Sequence, residues 1–180
     1  MPKKIFLLLS AMLVCLQVNA QLIHWRSDRP LTWDDYMGKP DFKSRGVVAT
    51  SWQVYYKTVY STHDSIAVKM YCSFNCFRSW KSSLYLPAAL LKHEQLHFDI
   101  AELYTRRIRR ALSEFHKKHQ RPFKSTNSIH GLTAPEYKRL HRYQRQYDRE
   151  TKRSQDQAKQ EEWNKRVARE LEELKAYEEK

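Results

Sequence analysis

Leu90-Leu-Lys-His-Glu-Gln-Leu-His-Phe-Asp-Ile-Ala-Glu102 decides how this chain is read, because it holds His93-Glu94-x-x-His97. On a helix, residues four apart stand one turn above each other, so both imidazoles point the same way. Zinc takes neutral imidazole nitrogens at roughly 2.0–2.1 Å and, in catalytic sites, keeps one position for water. Glu94, beside the first histidine, is placed to act on that water as general base. At about 100° per residue, His93, His97, Ile100, Tyr104, Ile108 and Ala111 form one stripe, and Arg106, Arg109 and Arg110 lie opposite. The histidines therefore face the interior, where unpaired imidazoles are costly to bury. The bland alternative is two core histidines hydrogen-bonded to neighbours; metal ligation is the expectation.

Around this stretch the helix is expected to begin at Pro87, which loses nothing by lacking an N–H in a first turn. It runs to about Lys118, before Gln120-Arg-Pro122 stops it. Upstream, Val48, Thr50, Trp52, Val54 and Tyr56 alternate with polar neighbours. After His63-Asp64-Ser65, so do Ile66, Val68, Met70, Cys72 and Phe74. The expectation is an antiparallel hairpin over about 47–76, one face buried against the histidine helix. Leu22 to Phe42 reads as an irregular entry anchored by Trp25, Trp33 and Tyr36. Downstream, 122–131 reads as a loop, and Thr133-Ala-Pro-Glu136 as the start of a helix over 135–152. A last helix over 155–178 carries the apolar seam Trp163, Val167, Leu171 and Leu174, packing only through that seam. The fold class is α+β: a small antiparallel sheet on a long helix, followed by two C-terminal helices.

Lys3 and Lys4, the apolar run Ile5 to Leu16 and Val18-Asn19-Ala20 read as a signal peptide over residues 1–20, cleaved between Ala20 and Gln21. The run is too short to span a bilayer comfortably, so no transmembrane segment is expected after cleavage, and the protein is expected to be secreted or periplasmic. Cys72 and Cys76 then remain. Were they on one continuous strand they would lie about 13 Å apart, too far to bridge; were Ser73 to Asn75 a turn, an oxidising compartment would favour a disulfide.

The formal net charge is +13, and its basic excess belongs to residues 103–153. Arg106-Arg-Ile-Arg-Arg110 and Lys117-Lys118 read either as a solvated helix face or as a surface for anionic envelope polymers through the 106–153 region. Export makes nucleic acid a poor partner, and Tyr137, Tyr143 and Tyr147 are spaced for helix packing rather than base stacking.

Leu31-Thr-Trp-Asp-Asp-Tyr-Met-Gly-Lys-Pro-Asp41, Ser79-Trp80, Leu91 to Glu102 and Tyr147-Asp-Arg-Glu-Thr151 together resemble the DUF922 family of predicted secreted bacterial zinc-dependent proteases. The resemblance implies a single zincin-like domain over 21–180 that hydrolyses peptide or protein substrates. One departure stands out. The family's Tyr-Asp-x-x-Thr segment is often followed by His-Gly, where this chain has Arg153 and Ser154.

Two histidines rarely make a tight site, so a third ligand is required. Tyr137, His141, Gln144, Asp148 and Thr151 share a helical face by their 4-3-4-3 spacing. Asp148, in the segment matching the family, is the first choice for a Zn2+ site made with His93 and His97. His141 and Glu150 are the alternatives. Asp99 and Glu102 point away from the histidine pair, Asp99 being a candidate partner for an arginine. The extended substrate is expected to add to a hairpin strand, 66–76.

Overall fold

The computed structural model describes residues 22–179 apart from 42, 45 and 84; the expected signal peptide lies outside the described residues. The architecture is α+β. Strands β1 (Leu22–His24), β2 (Val48–Ala49), β3 (Trp52–Ser61), β4 (Ile66–Asn75) and β5 (Trp80–Lys81) precede helices α1 (Ala88–His119), α2 (Thr126–Glu150) and α3 (Gln157–Glu173). Among the described residues, no helix is long and apolar enough to cross a membrane.

The hairpin is present with the expected inward face. β3 and β4 pair antiparallel from Trp52↔Phe74 to Ser61↔Ile66, with a bulge between Thr58 and Tyr60. Met70, Cys72 and Phe74 are buried, while Trp52 and Val54 pack against the same core. Two features differ from the reading above. The entry segment is not wholly irregular, because Leu22–His24 pairs with Ser73–Asn75 as a third strand, order β1-β4-β3. Its three residues are too few for alternation to show. Nor is 47–60 one strand: Val48–Ala49 leaves the hairpin and pairs with Trp80–Lys81. The break is stitched by Ser51, which gives its N–H to the buried Ser79 Oγ and accepts that of Asn75. Close by, a Cβ on Gly38 would sit 2.7 Å from the carbonyl oxygens of both Phe77 and Ser79, so only glycine fits.

β4 is the inner strand, with β1 covering its outer edge only at Ser73–Asn75. Beyond β1's reach, the Cys72 carbonyl accepts from the Trp25 amide and that of Met70 from the Arg109 guanidinium. Cys72 and Cys76 are free and buried. Ser73–Asn75 stays in the strand rather than turning, so the disulfide does not form.

The 32-residue α1 begins after Pro87 and ends where Gln120 turns left-handed at φ 50°. His116, Lys117, Lys118 and His119 in its last turn suit the negative end of the helix dipole. α2 starts seven residues before the expected Thr133. Ser125 caps it by accepting the Ser128 N–H; the buried Phe123 and Ile129 anchor this extra length beneath Met70, Ile108 and Leu112. Pro135 is therefore interior and leaves the Gly131 carbonyl without its helical donor. In α3, capped by Asp156, the seam is as read: Trp163 and Val167 are fully buried, Leu174 nearly so. The helix does more than pack through that seam, since Gln160 and Glu170 make polar contacts to α1.

Candidate metal centre

His93 and His97 stand on the face of α1 that meets α2, their ring centroids 4.8 Å apart and nearly perpendicular. Asp148, from the last turn of α2, puts one carboxylate oxygen, Oδ1, 3.3 Å from His93 Nε2 and 3.1 Å from His97 Nε2. Zinc–ligand bonds of about 2.0–2.1 Å at tetrahedral angles place neighbouring ligand atoms about 3.3 Å apart. The two nitrogen–oxygen edges already have that length, and all three atoms lie within 4.8 Å of one another. They form a group able to hold a metal ion.

The other ring nitrogens decide whether the Nε2 lone pairs are available. His93 Nδ1 meets Gln160 Oε1 at 3.0 Å, and His97 Nδ1 meets Gln144 Oε1. Both glutamine NH2 groups are engaged elsewhere, Gln144 donating to the His97 carbonyl and Gln160 to Asn164 Oδ1. The glutamine atoms facing the imidazoles are therefore acceptors, so each Nδ1 carries a proton, and each Nε2, on giving up its own proton to make room for a metal, would present a lone pair. This is the arrangement that orients histidine ligands at metal sites. Tyr147 completes the support. Its ring stacks on His93 at 4.5 Å and meets the edge of His97 at 4.9 Å; its hydroxyl lies 2.7 Å from Gln160 Oε1.

Burial and charge grade across the site. The His93 side chain is 3% exposed, that of His97 14% and that of Asp148 39%, so the cluster opens toward solvent on the carboxylate side. Partial burial resists charging Asp148, but hydrogen bonds from the two histidines outweigh it and hold the carboxyl far below its usual range. Burial likewise opposes a proton on His97, yet Asp148 and then Glu94 outweigh it, leaving that imidazole raised. Glu94 is buried. Its charge adds to burial in pushing up the Tyr36 and Tyr147 hydroxyls. Its carboxylate is tied to no described residue.

Of the third-ligand candidates, the structure brings in Asp148 and not the other two. His141 is exposed with its ring against Trp52, and Glu150 accepts from Gln146 and Trp163. Among the described residues Asp99 has no arginine partner; Trp25 Nε1 and Gln95 Nε2 donate to it. Arg153 is exposed, in a turn where Lys152, Arg153 and Ser154 all have positive φ. Ser154, at φ 73°, bears a left-handed conformation that favours glycine. Sequence reasoning missed both glutamine supports. Gln144 lay on the ligand face, one turn before Asp148. Gln160 heads the α3 seam, three residues before Trp163, and a lone amide in an apolar seam was its signal.

Residues 78–157 match the family model DUF922, described as a bacterial protein of unknown function. The matched segment carries all three metal-competent side chains, Glu94 and Gln144, and stops before Gln160. No curated protein and no solved structure matches the chain.

Proposed function

Because residues 78–157 match the DUF922 family model, we propose that this protein is an exported zinc-dependent peptidase whose metal is held by His93, His97 and Asp148 and whose general base is Glu94. One observation carries the reading: two Nε2 atoms and one carboxylate oxygen converge within 4.8 Å of one another, with both Nδ1 protons already given to glutamines. Two imidazoles and a carboxylate suit zinc. When bound, zinc supplies an acidified water and polarises a peptide carbonyl. Glu94, free of hydrogen bonds to described residues, takes a proton and passes it to the departing amine. Asp148 offers the approach from solvent, while Gln144, Gln160 and Tyr147 hold the rings still. Export rests on the basic start and apolar run at the N-terminus. Peptide or protein is the expected substrate. Exposed residues such as Arg110, Lys117 and Lys118 are what remain of the basic run for anionic envelope polymers, because Arg106 and Arg109 are inside the fold.

The test is cleavage of a quenched fluorescent peptide library by the purified protein, with and without a chelator, alongside metal analysis. Glu94→Gln is expected to abolish turnover with zinc content unchanged; activity surviving in that variant removes Glu94 as the base.

A second reading has an observation behind it. A cleft of about 700 Å³ lies on the far side of α1 and includes none of the three ligands. Zinc would then only pin α1 to α2. Chelator-sensitive stability with no cleavage in any variant selects this reading.

A further inference from the structure

That cleft has chemistry of its own. Its floor is the back of α1, including Leu91, Gln95 and Asp99; one wall is the entry segment with Trp25 and Leu31; the other is α3 with Val167 and Leu171. Its size falls within the roughly 300–1,000 Å³ of small-molecule sites, and like them it is mostly apolar with a few fixed polar groups.

The unusual member is Asp99. Both of its hydrogen bonds, from Trp25 Nε1 and Gln95 Nε2, fall on Oδ1 at 2.8 Å. Oδ2 takes no bond from a described residue and is not sealed from the cleft. No lysine or arginine among the described residues pairs with this carboxylate. Of the cations in the lining, Arg106 is spent on Glu102, Glu178 and the Leu171 carbonyl and Lys175 on Glu172, while Lys92 is exposed. Arg26 at the rim is paired with Asp28. A carboxylate half-enclosed by apolar walls, with one oxygen preset by two donors and the other bare, is complementary to a compact cation.

We propose that this cleft binds a small amphiphile headed by a primary ammonium, the head on Asp99 Oδ2 and the apolar body between Trp25 and Leu31 on one side and Val167 and Leu171 on the other. The site is independent of the metal centre and of any hydrolysis there.

The test follows the Trp25 indole N–H by NMR in ¹⁵N-labelled protein, its resonance identified by its loss in Trp25→Phe, during titration with n-octylammonium, n-octanol and octanoate. The titrations are run in chelator and repeated with zinc, so that failure of the metal reading leaves them interpretable. The expected result is a saturable shift with octylammonium, at least tenfold tighter than with octanol, and no binding of octanoate. Asp99→Asn keeps an acceptor for Trp25 and Gln95, so the fold is retained, and it is expected to bring octylammonium down to the octanol level. Equal affinity for the amine and the alcohol, preference for octanoate, an unchanged Asp99→Asn titration or no saturable shift overturns the proposal.

Discussion

α1 carries two buried polar clusters about two turns apart, and they differ in where their positive charge comes from. At the first, His93 and His97 turn their Nε2 atoms to the Asp148 carboxylate, and among the described residues no lysine or arginine pairs with that group. At the second, Glu102 is clasped by Arg106 at 3.0 Å and Arg109 at 2.8 Å. These arginines also hold the Leu171 and Tyr177 carbonyls and so strap the C-terminal residues onto the helix. The second cluster has its cations built into the chain; the first is a group that could hold a supplied one. That contrast separates a structural ion network from a binding site more sharply than burial does, since Glu102 and His93 are both 2% exposed.

The contrast breaks first, and by most, at the built-in cluster. Glu102→Leu leaves two guanidiniums short of their carboxylate in the interior. Breaking a buried pair from one side costs about 3–5 kcal/mol, and the remaining carbonyl acceptors should hold the loss near the lower end. Thermal melts are expected to show the same drop with and without zinc. A drop that zinc relieves would mean the two clusters are not separate. Next comes Asp148→Asn. In chelator it is expected to melt close to wild type, whereas the zinc-dependent rise, about 2.7 kcal/mol at a hundredfold excess over Kd, should vanish. Gln160→Ala is gentler. It keeps all three ligands but frees the His93 ring, and loss of such an outer partner weakens metal binding by about 10–100-fold. Competition with a chromophoric chelator measures it, and an unchanged affinity would show that Tyr147 alone orients the ring.

These clusters also mark where sequence reading succeeds. The histidine pair and its glutamate were legible because a four-residue spacing on a helix is a local geometric fact, and the hairpin because alternation is local too. Asp148 was legible with help from its family-like segment, but its convergence on the histidines is a contact 51 residues long that no periodicity encodes. Arg106 and Arg109 were misread as a solvated face. Hydropathy places charged stripes outside, whereas here β4 and the chain end cover the back of α1 and Glu102 makes that burial tolerable. The start of α2 was misplaced because a capping pattern at Thr133 competed with the weaker-looking Ser125, and the packing of Phe123 and Ile129 settled it.

The smallest effect is the most diagnostic, because the metal-free and metal-bound proteins should respond to pH with opposite signs. In the metal-free site, burial opposes the proton on His97 but Asp148 and Glu94 more than offset it, so the folded pKa lies above the unfolded value of about 6.5. Such a group contributes stability that is fully present below the unfolded pKa and is lost as pH rises through the folded one. Asp148, held far below its usual range, is ionised throughout and contributes nothing to the slope between pH 6 and 8. In chelator, the melting temperature of wild type relative to Asp148→Asn should therefore fall from pH 6 to pH 8. With zinc the proton and the metal compete for His97 Nε2, and ligands must be deprotonated to bind. The zinc-dependent increment of wild type should accordingly grow over the same interval. Two curves that move in parallel would mean that the proton and the cation do not share that nitrogen, and the first cluster would then be only a hydrogen-bonded core like the second.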